Sequence, residues 1–256
     1  MVSRRQLAAP GAVALVGSGE YLDGMNEVDT YLLETLGGAS SARVVLLPTA
    51  SGLEPNGPSY WNKLGQQHFQ QLGVGEIRAT NILDRTNAAD PEQLALLQGA
   101  DLYYFSGGNP EHVIETLRDT PAWHIIKTAY EQGAILAGCS AGAMMLCGHT
   151  ISIRQAMMGS IKLVDALSIV PELIVFPHFD RMARLLDQDR FRQVLLSVPD
   201  GSVAVGVDED TALVRIQWDG AASTTARWRV MGRQSVTIFT QDASPRVLSN
   251  GEEVIL

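Results

Sequence analysis

The chain has 256 residues and a formal net charge of −9; 46% of its residues are hydrophobic, 18% charged and 6% aromatic. That composition excludes a disordered chain, a collagen-like repeat and a disulfide scaffold, and the acidic balance argues against nonspecific binding to nucleic acid or anionic lipid. The length suffices for one sizeable core, and no apolar run approaches the roughly 18 residues that a membrane helix needs.

The N-terminus has two readings. Ser3-Arg4-Arg5-Gln6-Leu7, followed by Ala12-Val13-Ala14-Leu15-Val16, resembles a short export signal with paired arginines. The apolar run is short and flows into Gly17-Ser18-Gly19-Glu20, so residues 13–16 read better as a first strand closed by a glycine turn. Cleavage there would remove a central strand, which favours the reading without a signal.

Residues 28–36 carry apolar side chains at helical spacing and stop at Gly37-Gly38. Residues 44–47 form a second buried strand, closed by Pro48; 61–72 read as a helix and 76–82 as a strand. Asp90-Pro91-Glu92 opens a helix with a capping Asp and Pro in the first turn. Residues 102–105 are a strand running into Ser106-Gly107-Gly108; 110–117 and 122–130 are helical; 134–137 is a strand, and a helix starts at Ala141. This alternation predicts parallel strands with helices on both faces. Ligands in such sheets bind beyond the carboxyl ends of the strands, so the turns at Gly17, Gly107 and Gly138 share one functional edge.

From about residue 200 the pattern becomes β-rich: 203–207, 211–216, 226–231, 236–240 and 246–248, with Gly and Asp turns between. The expectation is an antiparallel extension of one α/β domain spanning 1–256. Cys139 and Cys147 stand eight apart in an apolar stretch, without zinc spacing, and fit reduced core thiols in a cytoplasmic protein.

Gly138-Cys139-Ser140-Ala141-Gly142 fits G-x-S-x-G between a predicted strand and a predicted helix. Such a turn strains the backbone of Ser140 and projects its hydroxyl at a helix N-terminus, where negative charge is favoured. A serine nucleophile needs a base, and the base needs an orienting acid. Of the five histidines, His68 and His112 lie in polar helical surroundings and read as surface residues, His124 is also helical, and His149 ends the helix that starts at the elbow. His178 differs: it follows the apolar run 173–176 and Pro177, at a strand's carboxyl end. For the acid, Glu209 directly follows another strand, Asp180 lies two residues after His178, and Asp208 and Asp210 flank Glu209.

These residues resemble the dipeptidase E and cyanophycinase family of serine peptidases. Residues 138–143 look like its serine elbow, Phe105-Ser106-Gly107-Gly108-Asn109 like its Gly-Gly loop, Pro177-His178-Phe179 like its His-Phe motif, and 206–213 like the cyanophycinase-type segment bearing the acid. The strands at 228–232 and 236–238 are also similar. The resemblance implies a three-layer α/β sandwich like that of class I glutamine amidotransferases, with a mostly parallel central sheet. It implies a triad of Ser140, His178 and Glu209, and an oxyanion hole from the N–H of Ala141 and of Gly107 or Gly108.

Family members cleave peptides at aspartyl residues, and a negative side chain needs a cation. Arg181 and Arg184 share a helix face past His178 and are placed to supply it, with Asn109 as a further substrate contact. Four residues at three sites depart from the pattern. Phe176-Pro177 stands where cyanophycinases carry Asp-Gln, Pro110 where their Gly-Gly loop runs on to Gln, and Gln155 where dipeptidase E places its acid.

The reading is a cytoplasmic serine peptidase for small aspartyl or isoaspartyl peptides. It implies no metal or organic cofactor and no nucleic-acid or membrane partner, and it is compatible with a homodimer. One alternative is a non-catalytic amidotransferase-like module that binds a ligand. Another is an α/β-hydrolase esterase, with Asp165 in the acid slot; in that fold, however, the histidine comes last.

Overall fold

The computed structural model describes residues 10–158, 160, 162–185, 188–218, 225–239 and 244–256, with no description of the side chains of 157, 183–185, 188–190 and 218. Its strands, in chain order, are β1 (Val13–Val16), β2 (Arg43–Leu47), β3 (Glu76–Ala79), β4 (Leu102–Phe105), β5 (Ile135–Cys139), β6 (His149–Ile151), β7 (Leu163–Asp165), β8 (Leu173–Phe176), β9 (Val203–Val207), β10 (Thr211–Trp218), β11 (Ala226–Gly232), β12 (Ser235–Phe239), β13 (Arg246–Ser249) and β14 (Glu253–Ile255). The basic segment 3–7 and Thr240, the last residue of the expected 236–240 strand, lie outside the described residues.

The main sheet has eight strands in the order β14-β11-β10-β1-β5-β4-β2-β3. Its half from β1 to β3 is parallel. The side chains explain why. Val13 and Leu15 of β1 enter one apolar cluster, and Ala14 and Val16 enter the other. Val45 and Leu47 alternate with Val44 and Leu46 in the same way, as do Tyr103 and Phe105 with Leu102 and Tyr104. Period-two alternation between two dry faces is what a parallel sheet covered by helices on both sides requires. The covering helices start where expected. Asp90, Asn109 and Thr120 each cap a helix whose next residue is proline, accepting from the N–H of Glu92, His112 and Trp123.

The C-terminal strands divide between two sheets. β10 joins the main sheet antiparallel to β1, and β11 and β14 follow it, each antiparallel to its neighbour. β9, β12 and β13 instead join β8 in a four-stranded sheet ordered β13-β12-β9-β8. Within it β8 and β9 are parallel, because the helices Phe179–Leu185 and Gln188–Leu196 cross over between them. A third cluster of Ile174, Phe176, Phe179, Val194, Val198 and Ala204 packs this second sheet. The site lies where the two sheets meet, at the carboxyl ends of β1, β4 and β5 on one side and of β8 and β9 on the other. No helix of the described residues is long and apolar enough to cross a membrane.

Candidate active site

Ser140 sits between β5 and the helix Ala141–Leu146 with φ 50° and ψ −112°. A serine in this conformation is strained by of order 1–3 kcal/mol, and its surroundings must hold it there. They do so through glycine. A Cβ on Gly138 would lie 2.3 Å from the carbonyl oxygen of Gly142, and one on Gly142 would lie 2.4 Å from that of Phe105. Strand and helix therefore approach as closely as backbone allows, and the N–H of Ser140 donates to the carbonyl of Val16 (2.9 Å). The hydroxyl is half-buried at the start of the helix.

His178 and Glu209 come from the second sheet. Phe176 stands opposite Gly206 in parallel register, so the chain leaves β8 toward His178 beside the place where it leaves β9 toward Glu209. His178 has φ 50°, and its carbonyl accepts from the N–H groups of Arg181 and Met182. Next to it, the ring of Phe179 lies on β9, where a Cβ on Gly206 would come within 2.4 Å of Cγ. The result is a linear array. Ser140 Oγ is 3.1 Å from His178 Nε2, and His178 Nδ1 is 2.8 Å from Glu209 Oε1. The imidazole is 42% exposed, so one face remains open, while Glu209 is 17% exposed.

Asp180 is held apart from the imidazole. Its Oδ1 accepts from the backbone N–H of Glu209 (3.0 Å), which fixes the turn that carries Glu209. Asp208 is buried and accepts from the N–H and hydroxyl of Ser235 (3.1 and 2.6 Å). Asp210 has φ 51° and stands 3.7 Å from Arg233. Arg181, expected to await a substrate, instead has Nη2 on Glu209 Oε2 (2.7 Å). The side chain of Arg184 lies outside the described residues.

The Gly-Gly loop follows β4 on the same edge. The N–H of Gly107 donates to Glu20 Oε1 (2.8 Å) and is therefore occupied. Gly108, exposed with φ 141°, fits only as glycine, since a Cβ would lie 2.3 Å from the carbonyl oxygen of Ala50. Among the described residues the N–H groups of Gly108 and Ala141 have no partner. Asn109 donates its N–H to Ala50 (2.7 Å), and its Oδ1 caps the following helix by accepting from the N–H of His112 (3.0 Å).

Two histidine expectations are corrected. His68 is a core residue: it is 3% exposed, with Nε2 2.7 Å from Oδ2 of the fully buried Asp29. Its position between Leu64 and Leu72, one turn either way, puts it on the apolar stripe of its helix, a signal the sequence does carry. His149 opens β6 rather than ending the elbow helix, which stops at Leu146, and it lies 3.5 Å from Asp165 Oδ1. His112 is half-buried with Nε2 2.9 Å from the carbonyl of Leu83, and His124 is exposed. Glu20 is a site residue that the sequence motifs do not single out; the signal for it is a carboxylate immediately after a buried strand and glycine turn on the functional edge.

Comparison with known proteins agrees with this architecture. The model of peptidase family S51 matches residues 13–222. The chain is 29% identical to the cyanophycinase of Trichormus variabilis, over 83% of this chain and 70% of that one. It is likewise 29% identical to the cyanophycinase of Synechococcus elongatus, over 89% of this chain and 67% of that one. A peptidase from an acI-B1 Actinobacterium superposes with a TM-score of 0.82 at 33% identity, covering 98% of this chain and 99% of that one. A putative peptidase E protein from Listeria monocytogenes EGD-e shares the fold at a TM-score of 0.56 and 16% identity, covering 93% and 99%.

Proposed function

Because the chain belongs to peptidase family S51 and is a serine-type peptidase, we propose that it hydrolyses small aspartyl or isoaspartyl peptides through an acyl-enzyme on Ser140. The observation that carries the reading is the array of Ser140 Oγ, His178 Nε2 and Nδ1, and Glu209 Oε1, at 3.1 and 2.8 Å.

In this reading His178 Nε2 takes the hydroxyl proton as Ser140 attacks the scissile carbonyl. Glu209 accepts from Nδ1–H, fixes the tautomer and stabilises the imidazolium. The N–H groups of Gly108 and Ala141 receive the oxyanion; Gly107 does not, because its N–H already meets Glu20. His178 then gives its proton to the leaving amine, and water, with His178 again as base, releases the acid product. Neither metal nor organic cofactor has a part in these steps.

The substrate's carboxylate goes to Arg184, and Asn109 offers its side-chain amide from the Gly-Gly loop. Arg181 is assigned to Glu209 instead. The reading keeps the enzyme in the cytoplasm, in keeping with the free buried thiols of Cys139 and Cys147.

The test is an assay of the purified chain on Asp-Leu, β-Asp-Leu, β-Asp-Arg, a neutral dipeptide and a simple ester, with Ser140→Ala alongside. Cleavage of one aspartyl linkage that disappears in Ser140→Ala supports the proposal and identifies the linkage. Cleavage of the ester alone, or activity that survives Ser140→Ala, overturns it.

A further inference from the structure

Glu20 is a carboxylate that the steps above do not use. It follows the turn Gly17-Ser18-Gly19 at the end of β1 and is 5% exposed. A carboxylate is almost never buried to this degree without partners. Both of its oxygens have one. Oε1 accepts from the N–H of Gly107 at 2.8 Å, and Oε2 lies 2.8 Å from Sγ of Cys139. Burial, reinforced by the nearby Glu20, pushes the Cys139 thiol well up, so it stays protonated and donates to Oε2.

These two partners belong to the two segments whose relative position matters most. Cys139 is the last residue of β5, and Ser140 follows it. Gly107 abuts the nucleophile: a Cβ built on it would lie 3.4 Å from Ser140 Cβ and 3.2 Å from Glu20 Oε1. Gly108, the next residue, carries one of the two N–H groups that have no partner among the described residues. One side chain thus ties the Gly-Gly loop to the elbow from below.

We propose that Glu20 is a positioning residue, a buried carboxylate that sets the Gly107-Gly108 loop against the Ser140 elbow so that the Gly108 N–H meets the oxyanion. The inference rests on Ser140 being the nucleophile. The hydrogen bonds of Glu20 go to Gly107 and Cys139 and not to Ser140, His178 or Glu209, and its acceptor oxygen at Gly107 fixes the loop. An amide can keep that acceptor, whereas an apolar side chain of similar length cannot.

The full chain is treated with an alkyl fluorophosphonate, in which Ser140 Oγ bonds phosphorus as fluoride leaves and the hydroxyl proton passes to His178. This electrophile needs the oxyanion donors and no aspartyl specificity. The limiting labelling rate and the half-saturating concentration are measured for wild type, Glu20→Gln and Glu20→Met, with thermal unfolding of each. Glu20→Met lowers the limiting rate about tenfold or more and leaves half-saturation within about twofold, while Glu20→Gln stays within about threefold of wild type, as expected when a single oxyanion donor is misplaced. If Glu20→Met does not fold, hydrogen exchange at the Gly107 amide replaces it: protection equal in wild type and Glu20→Gln upholds the tether, and rapid exchange in wild type overturns it.

Equal rates in Glu20→Met and wild type overturn the proposal alone. So does a Glu20→Gln as slow as Glu20→Met, which would make charge rather than the acceptor the cause. A wild-type chain unlabelled at Ser140 overturns the reading of the nucleophile, and the proposal with it.

Discussion

Arg181 Nη2 lies 2.7 Å from Glu209 Oε2, the oxygen that His178 does not use. The carboxylate is thus shared between the imidazole and a guanidinium, with its backbone N–H held by Asp180. The Arg181 side chain is 69% exposed, so water screens the pair and its worth is that of a surface ion pair, roughly 0.2–1 kcal/mol. Arg181→Ala is therefore expected to lower kcat by no more than about fivefold and to leave KM for an aspartyl peptide unchanged. Arg184→Ala is expected to raise KM with kcat nearly constant. Steady-state kinetics of the two variants check the assignment, and a KM effect in Arg181→Ala with none in Arg184→Ala would reverse it.

Glu209 and Asp180 separate by the same geometry. Glu209 accepts from the imidazole, so Glu209→Gln should lower kcat by about 10³–10⁴-fold through the wrong tautomer. Asp180→Ala removes one hydrogen bond to the backbone of the turn and should lower kcat about tenfold or less. Turnover of the two variants on one substrate decides the matter; a larger loss in Asp180→Ala would make Asp180 the acid.

Much of this site is legible in the amino-acid sequence, for a physical reason. The strands β1, β4 and β5 are fully buried apolar runs, and the glycine turns after them fall on one edge because the strands point one way. Ser140, His178 and Glu209 follow from strand ends in the same manner. What local pattern does not carry is which strands pair. β9 and β10 are separated by a short turn, yet β9 pairs with β8 and β12 while β10 pairs with β1 and β11. Both strands present the same alternation to their own cores, so the pattern alone points to an antiparallel extension of one sheet. The use of Arg181 and Asp180 is hidden for the same reason, because it depends on Glu209 arriving from a neighbouring parallel strand. Glu20 is hidden by its partners, a backbone N–H and a thiol, which no spacing in the sequence announces.

The elbow should tolerate no side chain at Gly142. A Cβ there would sit 2.4 Å from the carbonyl oxygen of Phe105 and 2.9 Å from its Cβ, and backbone in the middle of the sheet cannot yield. Overpacking of this kind costs about 1–3 kcal/mol or more. Gly142→Ala is expected to lower the unfolding midpoint by several degrees and to abolish labelling of Ser140. Gly251→Ala serves as the control: its glycine has positive φ but nothing within 4 Å, so it should show only backbone strain and keep its activity.

The buried pair Asp29 and His68 sets a pH dependence of stability. Burial raises the Asp29 carboxyl above its ordinary 3.8, although the hydrogen bond from His68 pulls the other way. The second oxygen, Oδ1, is buried without a partner among the described residues. Below about pH 4 the carboxyl is protonated in both folded and unfolded chains, and the stability of the protonated folded form is fully present. As pH rises from there, the unfolded chain releases the proton first. Stability contributed by the protonated form is then lost until pH passes the raised folded value, above which the loss is constant. Asp29→Asn keeps an acceptor for His68 and cannot titrate. The unfolding midpoint of wild type minus that of Asp29→Asn should therefore fall as pH rises above about 4. Thermal unfolding of both proteins at several pH values in that range measures the difference directly, and a difference that grows with pH would mean that the folded carboxyl is held below its ordinary value. Asp29→Ala, which leaves His68 buried without its acceptor, should cost about 1–3 kcal/mol at any pH in the range, or roughly 2–4 °C in the midpoint for each kcal/mol in a chain of this size.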